Sequence, residues 1–466
     1  MFPGYKNVCC EVVAHNLCAG CGLCAGVCPQ KTLKMRFNKF GEYSVFDANR
    51  NCSVNCELCL EVCPFSNQVE NEDSLAEKEF ADIPGIKHRS ESGYYLSALV
   101  GYSNLNSHRV NGASGGLTTW TLETLLKQEM ADFVACVSPA KDSDKLFKFV
   151  ISSTPEDVRA CSKSCYYPVE TSEIIHHILT HDGRYAVIGL PCFVKAFRLA
   201  MQVRKKLRQR VRFLLGLVCG QGKSKFFAEY ICSLGGGDPR YLEEITFRIK
   251  DNKRSASDYG LRFVCESTNH TNGHEGTVFW TEGMDRAWCD RYFTLNACDY
   301  CDDLFAELAD VSFMDAWLPK YTRDSAGTNL VIIRNPTFKE LFQKGSDTGE
   351  IKVDTIDIES VIYSQRGALL SKRNGLAKRL TFAKKLKRQV PKKRVLPLNK
   401  ISFRELLKTW LQTKTTQKSK TAFLKQKVFG PGLEIFQKKM RPYDCMDRLL
   451  SRSKRHLRKA KRIFHR

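Results

Sequence analysis

Two runs of cysteine open the chain. The first reads Cys18-x2-Cys21-x2-Cys24-x3-Cys28-Pro29, and the second reads Cys52-x3-Cys56-x2-Cys59-x3-Cys63-Pro64. Two-residue spacers let one tight loop present three thiolates to the corners of a cube of iron and sulfide, while the fourth thiolate reaches across to a second cube. Ala19, Gly20, Gly22 and Ala25 keep bulky side chains out of the loop, and the proline after the last cysteine turns the chain away. The spacing therefore assigns Cys18, Cys21, Cys24 and Cys63 to one 4Fe–4S cluster, and Cys28, Cys56, Cys59 and Cys52 to the other. Cys52 lies one residue further out than the standard spacing, with Ser53 in the usual place, and serves through a wider loop. Eight thiolates would also suit two zinc ions, but zinc sites rarely use a triple-cysteine run closed by Cys-Pro. Cys9 and Cys10 fit neither run and read as ordinary thiols.

Four further cysteines stand in suggestive settings: Cys192 in Gly189-Leu190-Pro191-Cys192, Cys219 in Leu217-Val218-Cys219-Gly220, and the pair Cys298-x2-Cys301. The first two follow strand-like runs, Tyr185–Ile188 and Arg212–Val218, and in open α/β sheets sites gather at the carboxyl ends of strands. Four thiols from three loops would close around one metal centre, although a lone CxxC serves zinc ribbons and redox motifs equally well.

The elements that must position these residues follow from composition. The chain has 466 residues, 43% of them hydrophobic and 11% aromatic, which argues against disorder and points to several folded units. Its 21 cysteines, with no export signal in Met1 to Ala14, fit a reducing cytoplasm and exclude a secreted disulfide scaffold. No apolar run is long enough for a membrane helix. Residues 1–68 form the cysteine-dense unit, an α+β ferredoxin-like dicluster domain. Residues 69–92 are polar and acidic and read as a linker. Residues 93–365 alternate strand-like runs (Phe133–Val137, Leu330–Ile333) with helical patterns, the mark of an α/β domain. Residues 366–466 hold 32 basic residues and four acids, so the net charge of +23 belongs to a basic, helical tail and the rest of the chain is mildly acidic.

Within the α/β region, six stretches occur in an order that resembles a known family. They are Arg109-Val110-Asn111-Gly112-Ala113-Ser114-Gly115-Gly116, Ser162-Lys163-Ser164-Cys165-Tyr166, Gly189–Cys192, Leu217–Gly220, Phe247-Arg248-Ile249-Lys250 and Cys298-Asp299-Tyr300-Cys301, followed by Ala309–Ser312 and Asp315-Ala316-Trp317. The region resembles the beta subunit of coenzyme F420 hydrogenase and its dehydrogenase relatives, fused here to a two-cluster ferredoxin unit. The resemblance implies an FAD-binding domain with its own 4Fe–4S cluster, held by Cys192, Cys219, Cys298 and Cys301. It makes Arg109, Asn111, Ser114, Gly115, Gly116 and Lys163 candidate flavin contacts. Small residues let backbone N–H groups approach a phosphate, although the same turn would also serve to cap a helix over Leu117–Leu126. Two positions depart from the family pattern, Met314 and Cys161, where glycine is usual.

The expected function is an FAD- and 4Fe–4S-dependent oxidoreductase acting on a coenzyme F420-like or surface-polysaccharide-related substrate. Its expected partner is a redox protein such as ferredoxin or a dehydrogenase subunit. His88, His108 and Tyr166 are candidate general acids that no pattern separates. The rival readings are a non-catalytic electron-transfer subunit and a zinc-binding nucleic-acid-associated protein, the latter disfavoured because the tail is too poor in aromatics to stack bases. The tail offers cytoplasmic membrane-surface contact or simple helical packing. Gly216 to Ser224 imitates a phosphate-binding loop but encloses five residues between its glycines instead of four, which excludes a nucleotide hydrolase of that type.

Overall fold

The computed structural model describes residues 6–48, 52, 56–105, 107–142, 145–267 and 273–463; Ser53 and the rest of the longer spacer, 53–55, lie outside the described residues. The strand-like runs assemble into an eight-stranded mixed sheet. Its order is Ile351–Thr355, Ser97–Ser103, Asn329–Ile333, Val311–Asp315, Val211–Leu217, Tyr185–Gly189, Phe133–Asp142, Lys145–Ser152. The run from Val311–Asp315 to Phe133–Asp142 is parallel, and the flanking pairs are antiparallel.

Side chains alternate across this sheet and supply two cores. Ala135, Val187 and Leu214 face the helix Pro191–Val203, while Val134, Ile188 and Leu215 face the helices Leu117–Lys127 and Pro336–Asp347. Burial on both faces explains why Tyr185–Ile188 is a continuous apolar run instead of an alternating one.

The N-terminal unit is small: a hairpin of Leu33–Phe37 and Tyr43–Asp47 with the short helices Leu23–Val27 and Leu58–Glu61. It does not stand apart from the body. Leu23, Val27 and Leu60 share one core with Ile174, Ile175 and Phe193. Gly26 permits the approach, since a Cβ there would lie 2.5 Å from the Ile175 Cβ.

Two sequence expectations need correction, and the choice left open for the tail is narrowed. Residues 69–92 are not a free linker: Glu72–Phe80 is a helix capped by the Asn71 side chain, and Leu75, Ala76 and Phe80 are buried beneath its acidic exterior. The region 93–365 also contains a second, three-stranded antiparallel sheet, Leu242–Ile249, Gly260–Cys265 and His274–Phe279, with its own core around Phe227, Phe247 and Phe263. Finally, of the readings offered for the residues after 365, the structure shows helical packing on the body. Phe423, Phe436 and Met440, from the long helices Phe403–Phe429 and Glu434–Ile463, fill that second core. Lys420 pairs with Glu42 of the N-terminal hairpin loop, while Arg394 pairs with Asp73 and Glu307. Net charge counts residues but not their counter-ions, so by itself it could not name these pairs. Among the described residues no helix is long and apolar enough to cross a membrane.

Candidate metal centre

The loop from Cys18 to Cys24 turns on Gly22, which has φ +84° and precedes the helix Leu23–Val27. A side chain there would be strained, and its Cβ would lie 2.4 Å from Glu170 Oε2. Cys18, Cys21, Cys24 and Cys63 line one cavity together with Met35 and Phe65. Burial pushes the Cys24 thiol well up, and Cys21, Cys63 and Cys18 push it further. The second set is also brought together: burial raises the Cys59 thiol to about 11, with added repulsion from Cys52, Cys56 and Cys28. Backbone N–H groups reach these sulfurs, from Gly20 to Cys18 at 3.4 Å and from Val8 to Cys59 at 3.3 Å.

Cys192 starts the helix Pro191–Val203 at the end of one parallel strand, and Cys219 follows the next. Cys298 lies within the 3-10 turn Asn296–Tyr300, and Cys301 ends it. The fold brings these four together. Burial pushes the Cys192 thiol far up, and Cys301, Cys219, Cys21 and Cys298 all add to the shift. The Gly222 N–H donates to Cys298 Sγ at 3.1 Å.

The third set has a feature that sequence reasoning missed. Lys372, 3% exposed on a π-helical turn at Ser371–Gly375, donates from Nζ to Cys301 Sγ at 2.9 Å. Its charge also opposes the upward shift of the Cys219 and Cys298 thiols. One lysine among 32 basic residues carries no sequence signal of such a role.

Cys21 is felt at Cys192, and Cys59 is felt at Cys24 and Cys63. The Cys18 set therefore lies near each of the other two. Among the described residues no three His, Cys, Asp or Glu side chains gather as one lone metal ion would need. A larger inorganic group with corners spread among the four sulfurs matches the donor chemistry of each set.

Most of the candidate flavin residues follow the strand Ser97–Ser103, second from one edge of the sheet. Arg109 stacks 3.6 Å over Tyr102, donates to the Gly327 carbonyl at 2.9 Å and pairs with Asp324 at 2.6 Å. Asn111 is exposed at the end of the helix His108–Asn111. The Ser114 hydroxyl donates to the Thr328 carbonyl at 2.7 Å. Gly115 is required by packing, since its Cβ would lie 2.6 Å from the Gly101 carbonyl oxygen, and Gly116 takes φ +79° to start the helix Leu117–Lys127. Lys163 differs from these. It is partly buried at φ +92° and has no hydrogen-bond or ion-pair partner among the described residues.

Lys250, also partly buried, lies close by. It staples the turn by donating to the Ser114 carbonyl at 2.7 Å, the Ala326 carbonyl at 2.6 Å and the Arg109 carbonyl. Burial, Arg248, Arg109 and Lys163 push its ammonium down to about 7 against the pull of Asp315. The corner is thus rich in positive charge and suits an anionic group such as a diphosphate.

The remaining candidates fall elsewhere. His108 is buried between Ser103 and Glu123, 2.7 Å from the carboxylate, and Tyr166 packs on Phe247 and Trp288. His88 lies on the exposed strand Lys87–Arg89. Met314 pairs regularly with Leu330 within its strand, and Cys161 caps the helix Pro155–Ala160. Lys223 of the false phosphate loop is buried, donating to the Tyr292 carbonyl at 2.8 Å.

Residues 17–67 match the family described as 4Fe-4S dicluster domain. Residues 98–176 match the N-terminal part, and residues 182–359 the C-terminal part, of the beta subunit of Coenzyme F420 hydrogenase/dehydrogenase. One F(420)H(2) dehydrogenase subunit of Methanosarcina mazei is 23% identical over 352 residues, 74% of this chain and 86% of the relative. Coenzyme F420-dependent sulfite reductase of Methanocaldococcus jannaschii is 22% identical over 355 residues, 71% of this chain; the chain spans only 46% of that relative's length. A chain of the xenon-derivatised F420-reducing NiFe hydrogenase complex from Methanosarcina barkeri aligns with a TM-score of 0.48 at 17% identity, covering 63% of this chain and 95% of that one.

Proposed function

We propose that this chain, which belongs to the family of coenzyme F420 hydrogenase/dehydrogenase beta subunits and carries a 4Fe–4S dicluster domain ahead of the family match, is an iron–sulfur flavoprotein oxidoreductase. One observation carries the reading: Cys192, Cys219, Cys298 and Cys301 converge from three loops beside Cys21 of the dicluster domain, with the buried Lys372 ammonium on Cys301. A buried ammonium whose hydrogen bond ends on sulfur calls for negative charge there. Four thiolates at the corners of a third 4Fe–4S cluster would supply it.

When bound, such clusters carry single electrons, and a flavin couples pairs of them to hydride transfer. The chain's own residues provide the rest. The neighbouring thiol sets would hold the electron path through the protein. Gly222 and Gly20 direct N–H groups at ligand sulfurs. FAD is assigned to the basic corner, where Lys163 would meet the diphosphate and Lys250 would hold the turn of Arg109, Asn111, Ser114, Gly115 and Gly116 beside it. The proposed substrate is a hydride-exchanging molecule of the coenzyme F420 class, which both curated relatives name, or a surface-polysaccharide-related intermediate.

The Methanosarcina mazei relative is named as one subunit of a dehydrogenase, which favours a second reading: an electron-transfer protein that serves a partner enzyme. Anaerobic purification with iron, sulfide, zinc and flavin assays separates the two. About twelve irons per chain, three cubes of four, with one FAD support the first reading. About eight irons without flavin support the second, and zinc in place of iron would overturn both.

A further inference from the structure

Lys372 lies beyond residue 359, where the family match ends, so its contact with Cys301 joins the matched region to residues outside it. Its position is well secured. Arg379 donates to the Asp299 carbonyl at 2.7 Å, inside the Cys298–Cys301 turn, and to the Ser371 carbonyl at 2.9 Å. The π-helical turn at Ser371–Gly375 aims the side chain inward, and such turns frequently accompany functional sites.

The neighbouring cations have carboxylates of their own. Lys393 pairs with Asp302 at 3.3 Å, and Arg394 pairs with Glu307 at 2.6 Å. Lys372 has no ion pair with a carboxylate among the described residues, and its one hydrogen bond ends on Cys301 Sγ. The thiol set is therefore its charge partner.

We infer that Lys372 is a positioning and tuning residue which raises the reduction potential of the group held by Cys192, Cys219, Cys298 and Cys301, drawing electrons inward from the dicluster domain. The inference rests on the third-cluster reading above. One-electron reduction makes a cluster more negative by one charge, and a fixed cation in contact with a ligand sulfur favours that reduced form. Hydrogen bonds to sulfur and local charge are recognised levers on cluster potential.

The test is a potentiometric titration of the full chain with dithionite, followed by electron paramagnetic resonance, with iron counted in every sample. In Lys372→Met one of three cluster signals is expected to become at least tenfold harder to reduce, a fall of about 59 mV for a one-electron couple. The other two should not move, and Lys372→Arg should restore most of the shift. Lys372→Gln keeps a donor without the charge and should behave like Met. Three unmoved potentials with all iron retained would overturn the inference, as would an Arg variant shifted as far as Met. Loss of one cluster's iron in both the Met and Gln variants would overturn it in favour of an assembly role. A wild-type chain with only two clusters would instead remove the underlying reading.

Discussion

Thr171 holds the Cys21 carbonyl with two hydrogen bonds, from its backbone N–H at 2.9 Å and from its hydroxyl at 2.7 Å. This places the loop of the first cluster run on the entry to the helix Ser172–Thr180 of the α/β body, and it is the seam across which Cys21 and Cys192 sense each other.

The seam depends on Gly22. Gly22→Val must adopt φ +84°, at a cost of about 1–2 kcal/mol, and must also displace Glu170. The expected outcome is a lower melting temperature under anaerobic conditions, with early bleaching of the cluster absorbance. An unchanged melt and unchanged iron would show that the seam tolerates a side chain.

Removing a sulfur from the third set tests its membership. Cys219→Ala and Cys298→Ala should each lower the iron content from about twelve to about eight per chain while leaving the dicluster signals intact. Retention of about twelve irons in both variants would exclude these residues as ligands.

Glu123 supplies a pH dependence. Burial disfavours its charge, but hydrogen bonds from His108, Arg159 and Lys127 outweigh that and bring its carboxyl down to about 2. A depressed carboxylate stabilises the fold above its ordinary value near 4.5 and loses that contribution as the pH falls toward 2. Glu123→Gln should lower stability by roughly 3 kcal/mol at neutral pH. The gap from wild type should narrow below pH 4.5 in urea unfolding followed by tryptophan fluorescence; a gap constant with pH would assign the effect to packing.

Lys250→Met should release the Arg109–Ser114 turn, because three carbonyls lose their common donor. Each buried acceptor left unpaired costs about 1–3 kcal/mol. Flavin retained through gel filtration should drop at least tenfold while the iron count holds. Full retention of flavin in the variant would remove this corner from the proposed FAD site.

Much of the centre was legible in the chain because cluster ligation begins as local geometry. Cys18, Cys21 and Cys24 lie within seven residues, so their spacing already states their relation. The parallel strands were legible for a similar reason, since a run such as Tyr185–Ile188, buried on both faces, has to be apolar throughout. The acidic surface of Glu72–Phe80 hid a buried stripe, and the single α/β reading of 93–365 missed a sheet whose core is completed by Phe423 and Phe436, far along the chain.

The sequence by itself determined the thiol sets of the dicluster domain, the strand-forming runs and the family. Each is written in short-range spacing or in an ordered series of motifs. Only the tertiary structure decided that Cys192, Cys219, Cys298 and Cys301 meet, that the Cys18 set lies near both other sets, and that Lys372 lies against Cys301. Only folding also paired the basic extension with Glu42, Asp73, Asp302 and Glu307. Coulombic and hydrogen-bond energies depend on distance and burial in space, and residues 71 positions apart, such as Cys301 and Lys372, acquire both only when the chain folds.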